Sequence, residues 1–166
     1  PVAYITGRKE FWSQNFSVNK HTLVPRPETE LLVYEVIKLL GNKKINILDI
    51  GTGSGCILLS ILKELTFSKG VGIDISPKAI KMAKKNLSNF NLIHRGRFMI
   101  FDFNKFNIGK YDLIVSNPPY IPTRDMKKLS KDVINFEPRI ALDGGLDGID
   151  LIKKVIYKSK SLLKQN

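Results

Sequence analysis

Residues 45–65 constrain the fold more than any other part of the chain. Ile45-Asn46-Ile47-Leu48-Asp49-Ile50 is an apolar run of strand length. Gly51-Thr52-Gly53-Ser54-Gly55 follows, and residues 56–65 read as an apolar helix. Strand, glycine loop and helix in that order form a nucleotide-type binding turn. The glycines let the backbone turn tightly and approach a ligand with no side chain in the way. The helix behind them starts with N–H groups that have no intrahelical partner. About 20 residues on, Val71-Gly72-Ile73-Asp74 reads as a second strand ending in an acid. A carboxylate there can accept both hydroxyls of a ribose.

The same alternation continues along the chain. Residues 77–87 predict a helix, 98–101 a third strand, 113–116 a fourth and 148–163 a final helix. Alternation of this kind predicts an α/β fold with a parallel sheet covered by helices. Ahead of it, residues 1–20 show no helical pattern. Glu10-Phe11-Trp12 and Phe16-Ser17-Val18 suggest a hairpin turning around Gln14-Asn15. Pro27 suits a helix start, and that helix runs to about Leu40. Residues 123–147 form a long irregular segment, expected to cover a substrate site.

Asn117-Pro118-Pro119-Tyr120 closes the fourth strand. This tetrapeptide suits the task of making a planar amide or aromatic amine act as a nucleophile. Such a nitrogen attacks poorly because its lone pair is delocalised. The Asn117 side-chain oxygen and a neighbouring carbonyl can accept hydrogen bonds from the NH2 group. Neither proline has a backbone N–H to compete. Tyr120 offers a flat face for stacking. Asp102 and Phe103, past the third strand, are candidates to meet an adenine amine and ring face; a solvated turn and core packing are their plainer roles.

Other chemistry finds less support. Cys56 is the single cysteine, so no internal disulfide can form, which fits a reducing compartment. His21 and His94 are isolated and show no metal-ligand spacing, so no metal is expected. No run approaches membrane-spanning length. The net charge of +12 allows attraction to nucleic acid, but it is dominated by lysines spread over wet helix faces, and direct binding of nucleic acid is not expected.

A dinucleotide-binding fingerprint wants Gly-x-Gly-x-x-Gly, and its third position is Cys56 here. The spacing Asp49-x-Gly51-x-Gly53-x-Gly55 is instead similar to the S-adenosylmethionine turn of class I methyltransferases. With Asp74 and the Asn-Pro-Pro-Tyr turn, the chain resembles the HemK/PrmC family of glutamine N5-methyltransferases, which act on peptide-chain release factors. The likeness begins at Pro1-Val2-Ala3-Tyr4-Ile5-Thr6-Gly7. It includes Leu23-Val24-Pro25-Arg26-Pro27-Glu28-Thr29-Glu30 and ends with Phe136-Glu137-Pro138-Arg139-Ile140-Ala141-Leu142 and Gly145-Leu146-Asp147-Gly148.

The resemblance implies a Rossmann-like class I methyltransferase sheet and S-adenosyl-L-methionine as cofactor. It implies a release factor's Gly-Gly-Gln glutamine as substrate and a cytoplasmic setting. It places the cofactor on Gly51, Thr52, Gly53, Ser54, Gly55, Asp74, Asp102, Phe103 and Asn117. Asn117, Pro118 and Tyr120 are the implied catalytic residues, and Pro119 completes the substrate-binding turn. An Asp or water could take the product's proton. A sister group that methylates a ribosomal protein carries Pro-Arg-Ser-Pro in place of residues 25–30 and tends to have Cys at Gly51; both differences favour the release-factor branch. An adenine-N6 nucleic-acid methyltransferase and an inactive cofactor-binding piece are the rival readings. The family's N-terminal helical docking domain and its last strands find no counterpart here. Residues 1–24 are therefore expected to be a hairpin and linker, and residues 25–166 a catalytic domain truncated on the C-terminal side of its sheet.

Overall fold

The structure, a computed structural model, describes residues 1–165. Its centre is a four-stranded parallel sheet of β3 (Asn46–Ile50), β4 (Lys69–Asp74), β5 (Gly96–Ile100) and β6 (Leu113–Ser116). Their order is β5-β4-β3-β6. The chain thus moves outward from β3 through β4 to β5, then returns to the other side of β3. β4 and β6 flank β3 on opposite sides, and a crevice opens above the carboxyl ends of the strands where the order reverses.

Alternation along each strand divides the core. Ile47, Phe98 and Val115 face α2 (Glu30–Leu40), α3 (Cys56–Glu64) and α4 (Pro77–Asn89), in a cluster that holds Val33, Leu58, Ile61 and Ile80. Leu48, Ile50 and Ile73 face the other way, toward Val155 and Leu162 of α6 (Asp150–Leu162). Nearly continuous apolar strands are what a parallel sheet covered on both faces requires.

The opening segment departs from the sequence-based expectation at two points. Residues 2–6 form a short helix, α1 (Val2–Thr6), closed by Gly7 in the left-handed conformation at φ 68°. The hairpin of β1 (Arg8–Phe11) and β2 (Gln14–Ser17) turns at Trp12-Ser13, not at Gln14-Asn15, because Phe11 pairs with Gln14. Trp12 and Ser13 both take positive φ, 50° and 53°. Neither residue favours that region. The tertiary contacts hold them there: the Trp12 backbone N–H donates to Glu30 at 2.9 Å, and its indole N–H to Glu64 at 2.9 Å. Phe11 and Phe16 are buried in the core, with Phe16 edge-on to Phe90 at 4.8 Å between centroids.

Residues 123–147 contain short helical pieces: a 3-10 helix Thr123–Lys128, α5 (Lys131–Phe136) and a 3-10 helix Arg139–Ala141. Among the described residues, no helix is long and apolar enough to cross a membrane.

Candidate cofactor and substrate crevice

Strand register assembles the site. Ile50 pairs with Ile73 on one side and with Ser116 on the other, and Asp74 pairs with Ile100. The residues just past those positions therefore share one edge of the sheet: the glycine loop, Asp74, Asp102 and Asn117. They line a crevice of about 330 Å³, together with Ile75, Phe103 and Pro138. That volume lies at the small end of the range for ligand pockets, ~300–1,000 Å³.

The loop is built to approach a ligand. Gly51 and Gly53 take φ 72° and 56°, and a Cβ at either would meet nothing within 4 Å. Their backbone thus borders open space, and a side chain would be strained there. Gly55 has another role. It is absent from the lining, and a Cβ there would approach Phe98 Cζ at 2.9 Å. It lets α3 sit close on the sheet and does not reach into the crevice. Asn86 ties the loop to the hairpin: its Nδ2 donates to the carbonyls of Ser54 and Ser17, and its Oδ1 accepts from the Ser17 N–H.

Asp74 stands at the lip of the crevice and is held by two backbone donors. The Gly53 N–H donates to Oδ2 and the Ser76 N–H to Oδ1, each at 2.9 Å. Each carboxylate oxygen keeps a further lone pair for a ligand hydroxyl. Asp102 accepts two bonds at Oδ1 from Asn104, through its backbone N–H and its side chain. This caps the short 3-10 turn and leaves Oδ2 out of those bonds; Asp102 and Phe103 both line the crevice.

Asp49 lies beneath the loop, fully buried. Its Oδ2 accepts from the Thr52 hydroxyl at 2.6 Å, while Oδ1 has no partner. Burial pushes its pKa from 3.8 to about 7, the charge of Asp74 adds to the rise, and the Thr52 hydroxyl opposes it. The folded chain thus holds this proton at pH values where the unfolded chain has released it. The site's stabilising contribution is fully present below about pH 4 and is lost as pH rises to about 7. Asp49→Asn removes this titration. Between pH 5 and pH 8 the melting temperature of wild type is expected to drop by a few degrees more than that of the variant. Parallel pH dependences in thermal denaturation would refute it. Burial likewise pushes the Cys56 thiol up, to about 12, so it is no ready nucleophile.

On the far wall, the Ser116 hydroxyl donates to the Ile50 carbonyl at 2.7 Å and ties the ends of β6 and β3 together. Asn117, Pro118 and Pro119 line the crevice; Tyr120 does not, and is 61% exposed beside it. The backbone of this turn is gripped from behind. A Cβ on Gly144 would sit 2.8 Å from the Pro119 carbonyl, and one on Gly148 would collide with the Tyr120 carbonyl. The glycines of residues 144–148 thus permit a close backbone approach.

The segment after the turn is tied to the one before α2. Arg26 Nη2 donates to both Glu137 oxygens, at 2.8 and 2.9 Å, and the Glu137 side chain is only 1% exposed. This pair brings Pro138, Ile140 and Ala141 over the crevice. Isolated motifs do not reveal it, because its partners lie 111 residues apart.

The methyltransferase domain family matches residues 41–166. The chain belongs to that family. This methyltransferase domain is 43% identical over 166 residues to the release factor glutamine methyltransferase of Caulobacter vibrioides, covering 99% of this chain and 57% of that protein. It is 45% identical over 163 residues to the release factor glutamine methyltransferase of Rhodospirillum rubrum, covering 98% of this chain and 50% of that protein. The chain therefore spans about half the length of these relatives. Among solved structures, the hMettl16 catalytic domain in complex with a MAT2A 3'UTR hairpin superposes with a TM-score of 0.72 at 19% identity. It covers 92% of this chain and 60% of that one, and shares the fold.

The crevice of the methyltransferase domain fits S-adenosylmethionine. The loop at Gly51 and Gly53 borders the crevice with no side chain, Asp74 is an acceptor held in place by backbone N–H groups, and Phe103 and Ile75 add apolar wall. Sequence reasoning singled out Gly51 to Ser54, Asp74, Asp102, Phe103 and Asn117 to Pro119, all of which line the crevice. It did not single out Thr29, whose hydroxyl meets Asn117, or Asn86, whose amide binds loop and hairpin. The signal for Thr29 lay in the Pro27-Glu28-Thr29-Glu30 run; nothing in the sequence marked Asn86.

Proposed function

We propose that this protein transfers a methyl group from S-adenosylmethionine to the side-chain nitrogen, N5, of the glutamine in the Gly-Gly-Gln loop of peptide-chain release factors. One observation carries the reading: an Asn-Pro-Pro turn and a glycine loop line one crevice, in a chain 43–45% identical to release factor glutamine methyltransferases. The cofactor, when bound, supplies an electrophilic methyl on a positively charged sulfur. The glycine loop and Asp74 hold it, with Asp102 and Phe103 at its base. Asn117 Oδ1 and the Pro118 carbonyl accept from the substrate NH2 group, and Tyr120 flanks the substrate outside the crevice.

The chain's task is orientation and charge complementarity. As the new carbon–nitrogen bond forms, the methyl's bond to sulfur would break to leave a neutral thioether. The amide loses conjugation, its hydrogens become more acidic, and one is released as a proton to water or a nearby carboxylate. Fixed acceptors at those hydrogens are therefore worth more in the transition state than in the ground state. Such a protein works where release factors work, in the cytoplasm.

The test incubates the full-length protein with labelled S-adenosylmethionine and either a release factor or oligonucleotides. Label is expected on glutamine in the release factor and absent from the nucleic acid. Label on adenine with none on glutamine would replace this reading by nucleic-acid methylation, and cofactor binding with no transfer by a binding role.

A further inference from the structure

We propose that Asn86 is a positioning residue for the cofactor site and makes the hairpin of β1 and β2 part of that site. The inference rests on the S-adenosylmethionine part of the proposed function and needs nothing of its methyl acceptor. Asn86 sits on α4, is 0% exposed and does not line the crevice, so it can act on a ligand only through its neighbours. Its Nδ2 donates to the Ser54 carbonyl in the glycine loop at 2.9 Å, and to the Ser17 carbonyl at the end of β2 at 3.0 Å. Its Oδ1 accepts from the Ser17 N–H at 2.8 Å. Every partner is a main-chain group, whose part as donor or acceptor is fixed. The amide therefore has one orientation. Reversed, its NH2 group would face the Ser17 N–H and its oxygen would face two carbonyls.

These three bonds fix the glycine loop and the hairpin at one separation. Ser54 lines the crevice itself. Ser17 is gripped on both of its main-chain groups, as a neighbouring strand would grip it, so the end of β2 cannot slide against α4 without breaking both bonds. From Ser17 the chain passes through a turn closed by the Thr22 N–H on the Asn19 carbonyl at 3.0 Å, and His21, Thr22 and Leu23 line the crevice. Asn86, Ser17 and Ser54 are all buried, so a lost bond leaves a main-chain group unsatisfied. Without Asn86, Ser54 and residues 17–23 are free to shift apart, and the crevice loses its shape although no lining side chain has changed. The hairpin is thereby tied to cofactor binding, even though β1 and β2 contribute no lining residue.

The test compares Asn86→Ala with Ser68→Ala in the full-length protein. Ser68 is the matched control. It is also fully buried, and its hydroxyl also joins two main-chain groups, accepting from the Ile45 N–H and donating to the Lys43 carbonyl. It does so at the opposite end of the sheet, ahead of β3 and β4. Both variants are expected to melt several degrees below wild type. In isothermal titration well below those temperatures, Asn86→Ala is expected to raise the S-adenosylmethionine Kd about tenfold, the scale of one net hydrogen bond, and Ser68→Ala to stay within about twofold of wild type. A second measurement needs no variant. In wild type, saturating cofactor is expected to slow hydrogen exchange of the Ser17 amide about threefold or more beyond that of the Ile45 amide, because coupling between hairpin and cofactor is reciprocal. An unchanged Kd in Asn86→Ala, an equal rise in Ser68→Ala, or equal slowing of the two amides would overturn the proposal. Cofactor binding without glutamine methylation would end the proposed function and leave this inference standing, and no cofactor binding by wild type would end both.

Discussion

Asn117→Ala is expected to slow methyl transfer by about 10²-fold or more at saturating cofactor and substrate, as when a preorganised polar contact is removed from a transition state. The substitution deletes the acceptor proposed for the substrate amide and the donor to Thr29. The fold should survive it. The turn is fixed by Pro118 and Pro119, by the Ser116 bond to Ile50, and by the close approach of Gly144 and Gly148 to the backbone behind it. None of these needs the Asn117 side chain. Asn117→Asp keeps an acceptor but loses the NH2 group that Thr29 receives and adds a charge, so partial activity at most is expected. Because Asn117 lines the cofactor crevice, cofactor affinity must be measured beside the single-turnover rate. A near wild-type rate for Asn117→Ala would leave the turn a structural feature.

Asp74→Ala is expected to weaken S-adenosylmethionine binding by roughly 1.5–3 kcal/mol, the scale of a hydrogen bond to a charged acceptor. Two causes combine. The ribose hydroxyls would lose the acceptor proposed for them, and the N–H groups of Gly53 and Ser76 lose theirs. The second loss loosens the glycine loop that faces the ligand. Asp74→Asn keeps one acceptor oxygen but turns an NH2 group toward a backbone N–H or a ribose hydroxyl, so an intermediate loss is expected. Isothermal titration of the folded variants decides the matter. Unchanged affinity for Asp74→Ala would remove Asp74 from the cofactor site.

Much of this protein was legible from local pattern. The apolar run before Gly51, the glycine spacing and the helix after it follow from rules that act within a few residues. So do Asp74 at the end of its strand and the two prolines that shape the turn at Asn117. Periodicity placed the four parallel strands and the helices between them, because burial on both faces writes itself into the sequence as apolar runs. Local rules failed where distant contacts overrode them. Trp12 and Ser13 make a turn that neither residue favours, because Glu30 and Glu64 hold the Trp12 donors.

Other features belong to the tertiary structure alone. The pairing of Ile50 with Ser116 sets the glycine loop beside Asn117, and no local signal specifies which strand lies next to which. The Arg26–Glu137 pair, the grip of Gly144 and Gly148 on the turn, and the bond from Asn117 to Thr29 join residues far apart in the chain. Tyr120 stands exposed beside the crevice and not in its wall, because side-chain direction depends on how the turn sits against its neighbours. The raised pKa of Asp49 has the same origin. A carboxylate in a strand carries an ordinary pKa until packing removes its water, and only the assembled sheet and helices do that.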